Sequence, residues 1–304
     1  MKIPDSRRGA AAGHPRQTVG MERTPRRGVE EIRAGERSGV LHPENLRTFH
    51  ARWITPRGPA GRVVETYWHV RWALPDGERI EQTIVDRPAV TLSIESGDVV
   101  APFVVTGPRR RAWVRTISGS GDVFAARLRP SGLDVLGGVA LPTLVDAVVP
   151  ADDALCPGIH GLLRAVGRAR DPQARADVFD ELAARCLEER PPGPAQRLAD
   201  AVVAELVAAV RDRTGAPFAD GFGVSERTVQ RALRSTLGMG PKAIASRIRL
   251  QEVARLLAGP GVDDLARIAA ELGYADQAHL VTDFRRTTGI TPGAYRRSLD
   301  GRRS

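Results

Sequence analysis

Residues 225–244, SERTVQRALRSTLGMGPKAI, and residues 276–295, DQAHLVTDFRRTTGITPGAY, are two copies of one pattern that lie 51 residues apart. Five residues coincide when the copies are aligned, with Arg234, Thr236, Gly238, Pro241 and Ala243 matching Arg285, Thr287, Gly289, Pro292 and Ala294. Each copy opens with a helix-capping residue, Ser225 or Asp276, and ends near a glycine that can close a helix. Each copy therefore predicts one capped helix.

A second short helix is predicted ahead of each copy, at Phe218–Phe222 and Leu265–Leu272. A short helix, a tight turn and a capped helix form a helix-turn-helix, whose second helix can enter a DNA major groove. In the first copy the apolar spacing turns Val229, Ala232 and Leu233 to the core, leaving Arg227, Gln230, Arg231 and Arg234 outside. Residues 241–257 predict a spacer helix of about 25 Å between two reading units.

These two stretches resemble the AraC/XylS family of bacterial transcription regulators. The likeness lies in GVSERTVQRALRSTLGMGPKAIASRIRLQEVARLLA at 223–258 and IAAELGYADQAHLVTDFRRTTGITPGAYRR at 268–297. The resemblance implies that both units contact DNA and that the base readers are Arg227, Gln230, Arg231, Gln277, Ala278, His279 and Thr282. Two features depart from the family: Gly221 interrupts the first leading helix, and Ala278 and Thr282 are shorter than the side chains of many relatives.

Four basic residues near helix ends are better placed to bind phosphate than to read bases: Arg234, Lys242, Arg285 and Arg286. Residues 196–304 contain 17 basic and 12 acidic side chains, whereas residues 38–195 contain 19 of each. A basic C-terminal region favours attraction to phosphate. Ordinary surface charge would explain the same excess if the repeat were absent.

The middle of the chain predicts a β-rich module. Short alternating runs fall at 63–74, 78–85, 89–95, 98–105, 111–118 and 122–128, with turn signals such as Pro75-Asp76-Gly77 between them. They favour a small antiparallel sandwich or barrel. The family resemblance implies a cupin-like effector or dimerisation domain here. Trp68, Val70 and Trp72 share one strand face and either line an effector pocket or fill a core.

Metal and redox chemistry find little support in the sequence. The central histidines stand alone, without the His-any-His pair of metal-binding cupins, so no metal or other cofactor is predicted. Cys156 and Cys186 are the only two cysteines, and both are interpreted as apolar fillers. No apolar run is long enough to span a membrane and no signal segment is evident, which predicts a cytoplasmic protein.

The predicted fold class is α+β: a cupin-like β-rich sensor domain, a helical connector and an all-α domain with two helix-turn-helix units. The predicted boundaries are a disordered basic tail at 1–45, the β domain at 46–150, a connector and Pro-rich linker at 151–194, and the DNA-binding domain at 195–304. Helical patterns fall at 141–149, 155–169 and 171–189. Val178, Phe179, Leu182 and Cys186 form a stripe that either packs in the core or pairs two subunits.

The sequence thus predicts a non-enzymatic, sequence-specific transcription regulator controlled by a small molecule. Expected partners are double-stranded DNA and an unknown small-molecule effector, with RNA polymerase and a second copy of the chain as further candidates. Two alternatives stay open. One is a small-molecule enzyme that uses the C-terminal domain for targeting, although no catalytic constellation is evident. The other is an architectural DNA binder without an effector.

Overall fold

The structure, a computed structural model, describes residues 41, 45, 49–137, 141–213, 220–259 and 264–300, the side chains of 220 and 300 excepted. It confirms the predicted α+β class, with strands in the first half of the chain and helices in the second. Residues 1–40 of the predicted tail lie outside the described residues. Leu41, which the sequence assigns to that tail, is buried against the C-terminal helices and its amide donates to the carbonyl of Thr83.

The part of the N-terminal half that the structure describes contains two antiparallel sheets. The strands are β1 (Phe49–Ile54), β2 (Val64–Ala73), β3 (Arg79–Ile84), β4 (Thr91–Ser96), β5 (Phe103–Thr106), β6 (Trp113–Ser118), β7 (Ser120–Leu128) and β8 (Val148–Pro150). Six strands form one sheet in the order β1-β2-β7-β4-β5-β8, and β3 pairs with β6 in a separate ribbon. Because side chains alternate along a strand, β2 turns Tyr67 towards one side and Trp68 towards the other.

Helix α1 (Gly132–Leu136) follows β7, and helices α2 (Pro157–Gly167) and α3 (Pro172–Glu189) follow β8. The last two pack on the large sheet, where Phe179 of α3 lies edge-on to Tyr67 with ring centroids 5.3 Å apart. The Tyr67 hydroxyl also donates to Asp180 at 2.6 Å. The segment predicted as a connector therefore contributes to the core of the β domain.

The described residues of the C-terminal half form six α-helices: α4 (Pro194–Asp212), α5 (Glu226–Leu237), α6 (Pro241–Ala258), α7 (Leu265–Glu271), α8 (Gln277–Thr288) and α9 (Pro292–Asp300). Two apolar cores hold them. The first contains residues of α4, α5 and the start of α6, and the second contains the rest of α6 with α7, α8 and α9. Helix α6 thus belongs to both units and connects them.

Several local predictions were wrong. Residues 141–149 were predicted to be helical, but Leu141–Thr143 is a 3-10 turn and β8 begins at Val148, because a short apolar run fits either structure. Strand β1 and helix α1 were not predicted. On α3 the buried stripe is Ala176, Phe179, Ala183 and Leu187, one helical position away from the predicted one, and of the predicted residues Phe179 alone is fully buried.

The two halves touch through the β3–β6 ribbon and through α4. The Ala112 amide, just before β6, donates to the carbonyl of Thr287 at 3.0 Å, near the end of α8. Val85, just after β3, is fully buried in the second C-terminal core. On α4, Asp200 accepts a hydrogen bond from the Ser131 amide at 3.0 Å. The ribbon therefore lies between the large sheet and the second helix-turn-helix unit.

Candidate nucleic-acid interface and ligand cavity

The first reading unit is built around the N-terminus of α5. Ser225 Oγ accepts a hydrogen bond from the Thr228 amide at 3.2 Å, so the predicted cap is present in the structure. The helix ends at Gly238, whose φ of +66° suits glycine. Ahead of it, the described part of the predicted leading helix, Asp220–Phe222, is a single 3-10 turn. Gly221 lies within this turn, and a glycine disfavours its extension into a longer helix.

Helix α5 has one buried face and one exposed face, as the spacing of its apolar residues predicts. Val229 and Leu233 are fully buried against α4 and α6. Arg227, Arg231 and Arg234 are exposed, whereas Gln230 is half-buried at the flank of the helix. The predicted base readers Arg227 and Arg231 therefore share one outward face, and Gln230 lies at its edge.

The second unit repeats the arrangement. Asp276 accepts a hydrogen bond from the His279 amide at 2.7 Å, and the helix closes at Gly289 with φ of +84°. All four predicted readers on α8 are exposed: Gln277, Ala278, His279 and Thr282. The His279 ring stands edge-on to Tyr274 with centroids 5.3 Å apart.

The predicted phosphate-binding residues lie at the ends of these helices and are all exposed: Arg234, Lys242, Arg285 and Arg286. Arg286 forms an ion pair with Asp283, a buried carboxylate that also accepts from Ser246 of α6 at 2.6 Å. Since Arg286 is still 74% exposed, its guanidinium can meet a further anion. The other basic residues of α6 have internal roles: Arg249 donates to the Gly273 carbonyl, and Arg255 pairs with buried Glu252.

A cavity of about 460 Å³ lies between the large sheet and the β3–β6 ribbon. The structure brings Trp68, Val70 and Trp72 together on its wall, as the alternation along β2 predicts. Trp53 and Trp113 also line it, so all four tryptophans of the chain face one space. Its volume falls in the range of small-molecule sites, roughly 300 to 1,000 Å³.

Sequence analysis did not predict that helices of the C-terminal half contribute to the cavity. Arg247, Ile248 and Gln251 of α6 form part of its lining, although α6 belongs to the reading units. Arg247 is only 4% exposed. An arginine on a helix is ordinarily expected on the surface. Arg247 is buried because α6 packs against the ribbon, and the local sequence does not predict this packing.

His69 lies on the opposite face of β2 from the tryptophans and does not line the cavity. Its Nε2 is 2.6 Å from Asp122, and Arg175 of α3 contacts the same carboxylate at 3.3 Å. These contacts hold the pKa of Asp122 below its usual range, chiefly through the hydrogen bond with His69. His69 is thus a paired structural residue.

Across the described ranges, no three His, Cys, Asp or Glu side chains gather as a metal site would require. Among the same residues, no helix has both the length and the apolar character needed to cross a bilayer.

Comparison with known proteins gives two family matches. Residues 218–298 match a helix-turn-helix domain, and residues 52–150 match a domain of unknown function, DUF6597. Among solved structures, ToxT from Vibrio cholerae aligns over 77% of this chain and 97% of its own, at 13% identity and a TM-score of 0.38. An AraC-type DNA-binding domain protein from Chromobacterium violaceum aligns over 33% and 94%, at 23% identity and a TM-score of 0.29.

Curated relatives are transcription regulators. An AraC-like transcription regulator from Streptomyces lividans is 32% identical over 197 residues, which cover 59% of this chain and 62% of the relative. The transcriptional activator RhaS from Escherichia fergusonii is 37% identical over 82 residues, 27% of this chain and 29% of RhaS. The chain thus spans less than two thirds of these relatives. Residues 218–298 thus match a helix-turn-helix domain, and the chain is similar to AraC-like transcription regulators and to RhaS.

Proposed function

We propose that this protein is a sequence-specific DNA-binding transcription regulator whose activity is set by a small molecule bound in the cavity of the β domain. The observation that carries the proposal is the pair of capped helices, α5 and α8, held on the shared helix α6 with their polar faces exposed. Such a pair can enter successive major grooves, whose centres lie roughly 34 Å apart.

The proposed roles differ by residue. Arg227 and Arg231 read base edges, because a guanidinium can donate to both O6 and N7 of guanine, and Gln230 reads adenine from the edge of the same face. On α8, Gln277, His279 and Thr282 contact bases less extensively, and Ala278 offers only a methyl group. Arg234, Lys242, Arg285 and Arg286 bind phosphate and so position the protein without specifying sequence.

Effector control is proposed from the cavity. A space lined by four tryptophans and by several charged side chains can hold a small molecule and orient it. Because α6 forms part of the lining, an occupant would touch the helix that connects the two reading units. RNA polymerase and a second copy of the chain stay in this proposal as candidate partners, and the cytoplasm as the place of action.

Binding-site selection tests the proposal. The full-length chain is incubated with a random duplex pool, and bound DNA is amplified and sequenced. We expect an enriched motif with two blocks, and the block read by α5 should contain more information. Failure to enrich any motif would contradict sequence-specific binding. Thermal-shift screening of metabolites then tests effector binding, and no stabilising compound in a broad screen would count against control by a small molecule.

A further inference from the structure

The cavity has positive charge that its own carboxylates do not neutralise. Each of its three lining carboxylates is paired with a lining arginine: Glu65 with Arg87, Asp86 with Arg127 at 2.6 Å, and Glu95 with Arg115 at 3.2 Å. Four more arginines line the space: Arg109, Arg111, Arg211 and Arg247. Arg211 is exposed and pairs with its neighbour Asp212. The remaining excess of charge is therefore concentrated where Arg109, Arg111 and Arg247 meet the cavity.

Arg247 is the buried member of this set. Its Nη2 donates to the carbonyl of Arg111 at 3.3 Å, while its Nε and Nη1 have no hydrogen-bond partner among the described residues. Nor does any described carboxylate lie within ion-pair distance of it. Burial lowers the pKa of Arg247, partly offset by the more distant Asp86, Asp283 and Asp146. A buried guanidinium with unmet donors is costly unless an anion reaches it.

We infer that the cavity binds a small organic monoanion, most simply a carboxylate, with its apolar body against the tryptophans and its charged group on Arg247. The inference rests on the proposed function and adds the chemical class of the effector. A guanidinium fork matches a carboxylate in geometry as well as in charge. The tryptophan walls favour a flat or ring-containing body.

The tryptophan faces support an aromatic or similarly flat ligand body. Arg127 already lies over the Trp68 ring at 5.4 Å, and Arg115 lies 5.6 Å from the centroid of Trp72. These arginines are engaged by their own carboxylates, so they fix the rings in place without taking the role of anion receptor. A ligand ring can then pack on a preformed apolar wall.

The position of Arg247 gives the site a regulatory consequence. The residue that receives the charge comes from α6, while the tryptophans come from the β domain, so the ligand bridges the two halves. The carbonyl that Arg247 contacts belongs to Arg111, and the next residue, Ala112, is hydrogen-bonded to Thr287 of α8. Occupation of Arg247 therefore acts on both α6 and the end of the second recognition helix.

Matched acids and amides test the charge requirement. Thermal unfolding of the full-length chain is followed with indole-3-acetate and indole-3-acetamide, and with 4-phenylbutyrate and 4-phenylbutyramide. We expect at least one carboxylate to raise Tm while its amide does not, because the amide offers no charge to Arg247. Equal stabilisation by acid and amide, or no shift with any carboxylate of a panel extended to other aromatic acids, would overturn the inference.

Variants test the receptor. Arg247→Met should remove the carboxylate shift and weaken binding by about tenfold or more, the loss expected for a charge-assisted hydrogen bond. Arg247→Lys keeps the charge and should retain part of the shift, which covers the case in which the Met variant does not fold. The control is Arg164→Met, the same loss of charge on an exposed position of α2 outside the cavity. An unchanged carboxylate shift in Arg247→Met would contradict the assignment.

DNA binding separates this inference from the proposed function. The selected duplex should change the Kd for the carboxylate in the wild-type chain, and by linkage the carboxylate should change the Kd for DNA by the same factor. Arg247→Met should bind the duplex and lose this coupling. A chain that enriches no DNA motif would refute the proposed function, whereas a specific DNA binder whose ligands act without Arg247 would refute this inference alone.

Discussion

Arg231 provides a test of base reading by the first unit at the scale of one residue. It is exposed on α5, one turn beyond Arg227, on the face opposite the buried Val229 and Leu233. A bidentate contact discriminates between bases by about 1 to 3 kcal/mol, so Arg231→Ala should relax the preference at one position of the site. Repeating the site selection with the variant measures this. Arg164→Ala, far from the reading helices, should leave the motif unchanged.

Arg286 should behave differently, although it has the same side chain. It lies near the end of α8, paired with Asp283 and still mostly exposed, where it can meet phosphate. Arg286→Ala should weaken binding to all sequences alike and reduce the salt slope of log K by about one unit. Titrations of a selected and an unrelated duplex at several salt concentrations check this. A loss confined to the selected duplex would assign Arg286 to base reading instead.

The comparison of Arg231 with Arg247 shows where prediction from sequence ends at this scale. Both are arginines on helices of the same domain, and the repeat pattern correctly places Arg231 outside, because its neighbours in the helix are buried in their own unit. Arg247 is turned inward by contacts with the β3–β6 ribbon, more than a hundred residues away in the chain. Local periodicity contains no information about that packing.

At the scale of elements, the two recognition helices end in matched glycines with unequal surroundings. A Cβ at Gly238 would lie 2.4 Å from Cγ2 of Val145 in the β domain, whereas a Cβ at Gly289 would meet nothing within 4 Å. Both have positive φ, so Gly289→Ala should cost about 1 to 2 kcal/mol. Gly238→Ala should cost a further 1 to 3 kcal/mol or so from overpacking. Urea unfolding measures both, and equal losses would contradict the contact of α5 with Val145.

Helix α4 gives a pH-dependent prediction through Asp200. Burial raises the pKa of this carboxyl above its ordinary value of 3.8, although the Ser131 amide donates to it. Because the pKa is raised in the folded state, the folded protein holds the Asp200 proton more tightly than the unfolded chain does. This proton stabilises the fold fully below pH 3.8, and its contribution is lost as the pH rises through the raised pKa. Asp200→Asn keeps an oxygen acceptor without the charge. It should therefore raise the free energy of unfolding at neutral pH, and the gain should disappear by about pH 3.

Urea titrations of wild type and Asp200→Asn at both pH values check this prediction. The exposed Asp76→Asn provides a control for the loss of one carboxylate from the surface. A destabilised Asp200→Asn at neutral pH would mean that the ionised carboxylate stabilises the contact between α4 and Ser131.

The elements that sequence predicts well are those whose signals are local. Six strands and the helices α5 to α8 follow from alternation, capping residues and closing glycines. Strand β8 was predicted as helix, because VVP in an apolar run has no period of its own and becomes a strand only by pairing with β5. The inward face of α3 was misplaced for a similar reason. Its composition allows two stripes that share Phe179, and packing on the large sheet selects the one that also contains Ala176, Ala183 and Leu187.

At the scale of the whole molecule, the two halves share cores and are not simply joined by a linker. Leu41 and Val85 are buried among residues of α6 to α9, and the ribbon is hydrogen-bonded to α8 through Ala112. The Pro-rich segment 191–194 does mark the start of α4, as expected for a boundary. The Pro-rich segment thus separates the two halves along the chain, while the ribbon and the C-terminal helices pack against each other in the structure.

This arrangement leads to a prediction for the isolated fragment 195–304. Its helices retain most of both cores, so the fragment should be helical by circular dichroism and should select the same DNA motif as the full chain. It should also unfold at a lower temperature, because the surfaces that Leu41, Val85 and Ala112 cover in the full chain become exposed to water. The fragment lacks the tryptophan walls, so its DNA affinity should not respond to any compound that stabilises the full chain. A disordered fragment would mean that the β domain is required for the helices to fold. A fragment with a different motif would mean that the β domain sets the spacing of the reading units.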